Sequence, residues 1–295
     1  MKKGNGLSLQ KSNFKENISA VILCAGEGKR LNQITQTIPK PLIKIEILNN
    51  ISILNHIINS LINLEINQIG IVIGYLGQTI REAILTLEKN NQALINKLII
   101  IDTEDQYKFG PLYSFLSIIK NKNFFRSRNY YLVFPGDTIY DYNILKQVLS
   151  IISNNFSLIQ HHPIIFYRNI GLKPLKELYN INRIISNIEI TKLGSEIILK
   201  KINQLKVGDI HTKKVLNQVI PITALSYDSI NEILNLNREK RNTIWETLNY
   251  MAFNGKKVLV FEIDNNYNFY DIDYENDLEK LKEKDNRCSD YSMYN

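Results

Sequence analysis

Residues 19–45 read Ser19-Ala-Val-Ile-Leu-Cys-Ala-Gly-Glu-Gly-Lys-Arg-Leu-Asn-Gln-Ile-Thr-Gln-Thr-Ile-Pro-Lys-Pro-Leu-Ile-Lys-Ile45, and the reading of this stretch decides the fold. From Ala20 to Cys24 the side chains are apolar without alternation, as in a short strand buried on both faces. Small residues follow at once. Ala25, Gly26 and Gly28 let the main chain come close to a ligand, because glycine has no Cβ and tolerates positive φ. Backbone N–H groups in such a turn make an anion cradle. Lys29, Arg30 and Lys40 bring fixed positive charge beside it. A buried strand, a glycine turn and clustered cations suit a polyphosphate.

Two familiar phosphate loops are excluded. A Walker A loop anchored on Gly28-Lys29 needs glycine where Leu23 stands and a hydroxyl where Arg30 stands. The dinucleotide fingerprint needs a third glycine at Leu31, which disfavours an oxidoreductase using NAD.

Outward from the turn, apolar spacing predicts helices over 51–64, 78–87 and 112–119, and buried strands over 69–73, 98–101 and 130–134. Such an alternation predicts an α/β fold: a Rossmann-like, mostly parallel central sheet with helices on both faces. From about Phe156 the texture changes to strands over 164–167, 188–191, 196–199 and 219–225, a smaller antiparallel, substrate-side extension. Helices are expected over 229–236, 243–252 and 275–284, and short strands over 258–263 and 269–272. The whole chain reads as a single domain, with a polar segment over 1–17, a nucleotide-binding part over 18–155, an acceptor part over 156–284 and a loose tail over 285–295.

Composition narrows the class. The net charge of +7 over 295 residues is spread along the chain, which fits anionic substrates and argues against nucleic acid. The two cysteines, Cys24 and Cys288, allow no disulfide framework and no metal cluster. Polar residues interrupt every long apolar run, so no membrane insertion is expected and a cytoplasmic location is. The adjacent His161-His162 would point to opposite faces of a strand, so a loop role outweighs a metal pair.

Ligands of open parallel sheets bind beyond the carboxyl ends of strands. The glycine turn and Asp137, in Phe134-Pro-Gly-Asp-Thr138, both stand at such ends. Late in the chain, Asp271 and Asp273 of Tyr270-Asp-Ile-Asp-Tyr-Glu-Asn-Asp-Leu278 share one face of an extended segment, so one points to the site and the other supports it. Asp277 is assigned to the following helix. Asp137 and Asp273 facing a phosphate cradle suit Mg²⁺, a hard ion that takes one or two carboxylates and completes its shell with phosphate and water. Asp137 as a turn residue and Asp273 as a helix cap are the competing assignments.

Leu23, Gly26, Gly28, Arg30 and Leu31, followed by Pro39-Lys40-Pro41-Leu42, resemble the L-x-(A/G)-G-x-G-(T/S)-R-L and P-K-P-L motifs of the sugar-1-phosphate nucleotidyltransferases. Gly136-Asp137 and Asp271-Ile-Asp273 are similar to that family's G-D and D-I-D-T-x-x-D-L patterns, with Lys29 and Tyr274 departing from it. The resemblance implies transfer of NMP from an NTP to a phosphorylated sugar or alcohol, with release of pyrophosphate, in nucleotide-sugar biosynthesis. It implies Arg30, Lys40 and Asp137 as catalytic residues, Asp137 and Asp273 as Mg²⁺ ligands, and Leu23, Ala25, Gly26, Gly28 and Gly110 along the nucleotide, with Ser114 near Gly110. The family's acceptor motifs are incomplete: Lys200, Lys201 and Lys206 lack a preceding Glu, and Asn217-Gln-Val219 lacks a glycine. The Tyr113-Ser-Phe115 segment resembles cytidylyltransferases that activate phosphocholine-type alcohols, so that acceptor class stays open. So does a non-catalytic nucleotide-sugar-binding subunit. The base, the acceptor and homo-oligomerisation are not set by the sequence.

Overall fold

A computed structural model describes residues 16–31, 34–211, 215–236 and 241–285; the expected amino-terminal segment up to residue 15, Cys288 and the tail from residue 286 lie outside the described residues. In chain order the strands are β1 (Ile18–Cys24), β2 (Lys44–Ile45), β3 (Ile51–Ser52), β4 (Gln68–Ile73), β5 (Leu98–Asp102), β6 (Tyr130–Pro135), β7 (Thr138–Tyr140), β8 (Ile164–Gly171), β9 (Ile184–Leu193), β10 (Glu196–Lys206), β11 (Val215–Ser226), β12 (Leu259–Glu262) and β13 (Phe269–Asp271). The helices are α1 (Ile53–Asn63), α2 (Gly77–Asn90), α3 (Pro111–Leu116), α4 (Tyr142–Asn154), α5 (Phe156–Ile159), α6 (Leu172–Leu178), α7 (Tyr227–Leu236), α8 (Ile244–Phe253) and α9 (Glu275–Asp285). Among the described residues no helix is long and apolar enough to cross a membrane.

The chain forms two compact units, each assembled from separate segments. The first takes in Ser19–Phe125, Phe134–Asp141 and the residues from Phe269 on. Its strands β5-β4-β1 pair in parallel, with Ala20 opposite Ile69 and Ile69 opposite Leu98. Gly70, inside β4, leaves room for the Phe124 ring: a Cβ there would lie 2.7 Å from Phe124 Cζ. Helix α1 begins two residues later than its apolar spacing suggests. Ile51 and Ser52 pair with Lys44–Ile45, and Ser52 Oγ then caps the helix by accepting the Asn55 N–H at 3.2 Å. In the same unit β7 and β13 pair antiparallel, with Thr138 opposite Asp271 and Tyr140 opposite Phe269. Buried His56, on α1, holds this ribbon by donating its Nε2–H to the Tyr140 carbonyl at 3.1 Å.

The second unit takes in Arg126–Val133 and the described residues of Tyr142–Asn268, with residues 16–18. Its strand order is β6-β11-β8-β12-β10-β9. Only β8–β12 is parallel; β6–β11, β11–β8, β12–β10 and β10–β9 are antiparallel. The expectation of a mostly parallel sheet with a smaller antiparallel extension is therefore corrected to a mixed α/β architecture. The physical reason is that a strand buried on both faces reads as an apolar run whichever way it points. Strand β11 also starts earlier than expected, because Val215–Gln218 pair with Gly171–Arg168 of β8, and its ladder has a register shift between Ile220 and Thr223. Pro221 sits in that shift, where its missing N–H costs no ladder bond. Thr243 lies just outside α8 and forms a capping box with Glu246. A buried polar run crosses this unit: Arg168 Nε donates to Gln218 Oε1, and Gln218 Nε2 donates to the Tyr179 hydroxyl.

Burial pushes the His56 pKa down, against weaker upward pulls from the Tyr140 carbonyl and Asp141. A folded-state pKa depressed below the ordinary value of 6.5 gives stability that is complete above pH 6.5 and is lost as pH falls below it. The melting temperature is expected to drop on acidification through that range, and His56→Gln, which keeps a donor, to flatten the slope. Thermal melts of both proteins from neutral to acidic pH check this; parallel profiles would remove His56 as the cause.

Candidate active site

The ribbon of β7 and β13 brings distant carboxylates to one place. Asp137 immediately precedes β7, and Asp273 lies two residues beyond the end of β13. The register Thr138–Asp271 continues as an Ile272 N–H donating to the Asp137 carbonyl at 3.0 Å. Thr138, fully buried, donates its Oγ1–H to Asp271 Oδ1 at 2.7 Å. Asp271 thus bonds within the ribbon, whereas the Asp273 carboxylate pairs with Lys40 and Arg30. Asp277 accepts the backbone N–H groups of Asp273 and Tyr274 at 2.8 Å each, which ties the two residues before α9 to its first turn. Sequence reasoning missed β7 and Thr138. Thr138, Ile139 and Tyr140 are all buried, and a run of three is too short to register as a strand.

Lys40 closes the cluster. Its Nζ lies 3.1 Å from Asp137 Oδ2 and 3.1 Å from Asp273 Oδ1, and its side chain is only 8% exposed. Burial pulls the Lys40 ammonium pKa down, but the Asp137 and Asp273 carboxylates outweigh it and the net shift is upward. The lysine stays charged. Arg30 Nη1 donates to Asp273 Oδ2 at 3.0 Å, and its guanidinium lies 5.7 Å from the centre of the Tyr274 ring. That side chain is 57% exposed, so it presents charge to solvent while anchored at one end. Tyr274 therefore supplies a platform for Arg30.

The glycine turn lies against this cluster. Gly28 has φ +66°, and a Cβ there would meet Thr35 Cγ2 at 2.9 Å and Lys40 Cγ at 3.0 Å. Glycine is needed for conformation and for contact with the lysine stem. The Gly28 carbonyl accepts the Leu31 N–H and the Thr35 hydroxyl, at 2.9 and 3.0 Å. Gly26 is the opposite case: a Cβ would meet nothing within 4 Å, so its Cα faces open space. The Leu23 and Ala25 carbonyls bind inward, to the N–H groups of Gly136 and Tyr75 at 2.9 and 3.1 Å. Gly136 is crowded, since its Cβ would lie 2.7 Å from Cys24 Sγ and 2.8 Å from the Leu23 carbonyl oxygen. Cys24 is a buried thiol whose pKa is pushed up by burial and by Asp137, as befits packing and not nucleophilic attack.

The remaining expected residues lie as follows. Lys29 turns to Glu27 at 2.8 Å on the surface. Gly110, at φ +116°, opens α3, and the buried Ser114 hydroxyl turns back toward its carbonyl at 3.5 Å. In the second unit Lys200 faces Glu189 at 3.6 Å, and both line a cavity of about 340 Å³ with Asn187 and Asn217. His161 and His162 lie in the turn after α5, both N–H groups reaching the Leu158 carbonyl. Among the described residues no group of three or more His, Cys, Asp or Glu gathers as a metal cluster. The two-carboxylate site fits the habit of Mg²⁺, whose other ligands come from phosphate and water. Both oxygens already face one cation, the Lys40 ammonium.

Residues 19–161 match the family model described as nucleotidyl transferase. The chain is 31% identical over 217 residues to the bifunctional protein GlmU of Methanococcus maripaludis, a match spanning 69% of this chain and 47% of that protein. It thus covers about half the length of that curated relative. Among solved structures, the inositol-1-phosphate CTP transferase from T. maritima superposes with a TM-score of 0.62 at 17% identity, over 90% of this chain and 96% of that one. A UDP-glucose pyrophosphorylase complexed with UDP-glucose gives a TM-score of 0.63 at 17% identity, over 92% and 99%. At that identity the likeness is one of fold.

The two glycines separate folding from binding. Gly136→Ala is expected to destabilise by about 1–3 kcal/mol, because a backbone oxygen and a buried sulfur cannot both retreat. Gly26→Ala is expected to leave the melting temperature unchanged. Denaturant melts of the two variants test this; equal stability would mean that Gly136 is not a packing constraint.

Proposed function

We propose, since the chain belongs to the nucleotidyl transferase family through residues 19–161, that it is an Mg²⁺-dependent enzyme acting on an NTP and a sugar-1-phosphate. In the reaction, a phosphate oxygen of the acceptor attacks the α-phosphorus of the NTP. The bond from that phosphorus to the β-bridging oxygen breaks, the electron pair leaves with pyrophosphate, and an NDP-sugar remains. The observation that carries this reading is the convergence of Arg30, Lys40, Asp137 and Asp273, linked at 3.0–3.1 Å, beside the glycine turn.

Each residue has a task that its position supports. The open face of Gly26 admits the nucleotide, and the turn's N–H groups meet its phosphates. Arg30, exposed and braced by Asp273 and Tyr274, balances charge on the triphosphate and the departing pyrophosphate. Lys40 holds charge next to the reacting phosphate. Asp137 and Asp273 hold Mg²⁺, which when bound would neutralise the triphosphate and polarise the α-phosphorus. No protein nucleophile is required; positioning and charge compensation carry the rate. A cytoplasmic place of action belongs to the same proposal.

A second reading is transfer from CTP to a phospho-alcohol. It is favoured by the T. maritima inositol-1-phosphate CTP transferase among the structural neighbours and by a 2-aminoethylphosphonate cytidylyltransferase of Lancefieldella rimae, 33% identical over 85 residues. Pyrophosphate release, measured with each NTP against a panel of sugar-1-phosphates and phospho-alcohols, decides between them. Turnover with one sugar-1-phosphate supports the first reading, and turnover only with CTP and a phospho-alcohol supports the second. No turnover with any pair would leave the non-catalytic binding role. In the active pair, Asp137→Asn is expected to lower kcat by a factor on the order of a hundred or more, and Gly26→Ala to raise the KM for nucleotide with the fold intact. A near-normal rate in Asp137→Asn would remove that carboxylate from the mechanism.

A further inference from the structure

The point between Asp137 and Asp273 is held by a cation that the chain itself supplies. Lys40 Nζ lies at 3.1 Å from an oxygen of each carboxylate, in a position only 8% exposed. An ammonium and a divalent ion cannot share that point, because like charges at such separations repel strongly in a partly buried site. Whichever cation is present excludes the other. The base of the side chain is packed against Gly28 and the backbone is held by the Ile43 N–H on the Lys40 carbonyl at 3.1 Å, so the ammonium moves only by the swing of its outer side chain. It needs another anion within the swing of its side chain.

We propose that Lys40 is a built-in counter-ion that keeps the divalent-cation position closed until a triphosphate arrives to take over its charge, so that metal enters together with nucleotide. The inference rests on the reading of Asp137 and Asp273 as the metal ligands. It adds an order of assembly to that reading. When Lys40 turns to the phosphates, Arg30 remains on Asp273 at 3.0 Å, so that carboxylate is not left without a cation during the exchange. Asp137 has no such second cation among the ion pairs of the described residues, which makes it the carboxylate most in need of the incoming metal. One lysine would thus prevent a divalent ion from binding unproductively and would then be delivered to the phosphates by the exchange.

The test is Mn²⁺ binding to the full chain with and without each of the common NTPs, followed by the EPR signal of the free ion after subtraction of the Mn²⁺ that each NTP holds in the absence of protein. The unaltered protein is expected to bind Mn²⁺ weakly alone and at least about tenfold more tightly with the NTP that it accepts, the equivalent of about 1.4 kcal/mol. Lys40→Met is expected to bind Mn²⁺ alone at least about tenfold more tightly than the unaltered protein, and adding Asp273→Asn to that variant is expected to abolish the gain. Lys40→Gln serves as a second variant, and circular dichroism checks both folds. If Lys40→Met and Lys40→Gln bind Mn²⁺ no better than the unaltered protein while Asp273→Asn still removes nucleotide-dependent binding, the counter-ion proposal is overturned and the metal site stands. If Asp273→Asn leaves nucleotide-dependent Mn²⁺ binding unchanged, the metal site itself falls. Should neither lysine variant fold, equal Mn²⁺ affinity of the unaltered protein with and without every NTP overturns the proposal.

Discussion

The antiparallel pairing of β7 with β13 is the constraint on which the site depends. Six residues, joined in register and locked by the buried hydroxyl of Thr138 on Asp271, carry two aspartates from distant parts of the sequence to a common point. A slip of one residue would turn Asp273 to the other face of its strand and leave Lys40 with half of its compensation. The ribbon is therefore braced on several sides. His56 holds the Tyr140 carbonyl, the Ile272 N–H holds the Asp137 carbonyl, and Asp277 holds the backbone of Asp273 and Tyr274. None of these groups belongs to the charged set, yet each limits where its carboxylates can stand.

Charge and packing divide the work at the glycine turn. Gly28 and Gly136 are glycines because neighbours leave no room for a side chain, and in each case one neighbour belongs to the site: the Lys40 stem or the Leu23 carbonyl. Gly26 is a glycine with open space before it, which packing does not explain. The glycine turn thus holds one crowded glycine, Gly28, and one, Gly26, that opens outward. The buried Lys40 ammonium is tolerated because two carboxylates offset its desolvation, and they in turn are tolerated because Lys40 and Arg30 stand against them.

Much of this was legible in the residues. The glycine turn, Arg30, Lys40 and the two aspartates were named from motif and spacing alone, and the structure brings Arg30, Lys40, Asp137 and Asp273 together through three ion pairs. Local chemistry leaves strong marks: a buried strand is apolar, and a cap is Ser52 or Thr243 before an apolar run. Strand direction leaves none, so the sheet was read as mostly parallel although β11 pairs antiparallel on both sides. Helix α4 went unread although Ile144, Leu145, Val148 and Ile152 share one buried face. Of the ribbon only β13 was expected, as the short strand over 269–272; β7 has too few residues for a periodicity to show, and the pairing joins positions more than a hundred residues apart.

The central claim is that Asp137 and Asp273 receive one divalent ion while Arg30 and Lys40 face the phosphates of a nucleotide in the glycine turn. The most direct measurement is a crystal structure of the protein grown with Mn²⁺ and the NTP that supports turnover, or that binds most tightly, with anomalous differences collected at the manganese edge. The account requires an anomalous peak coordinated by both carboxylates, with Lys40 Nζ moved onto the phosphates. A peak elsewhere, or a nucleotide bound away from Gly26 with the Lys40 bridge intact, would contradict it.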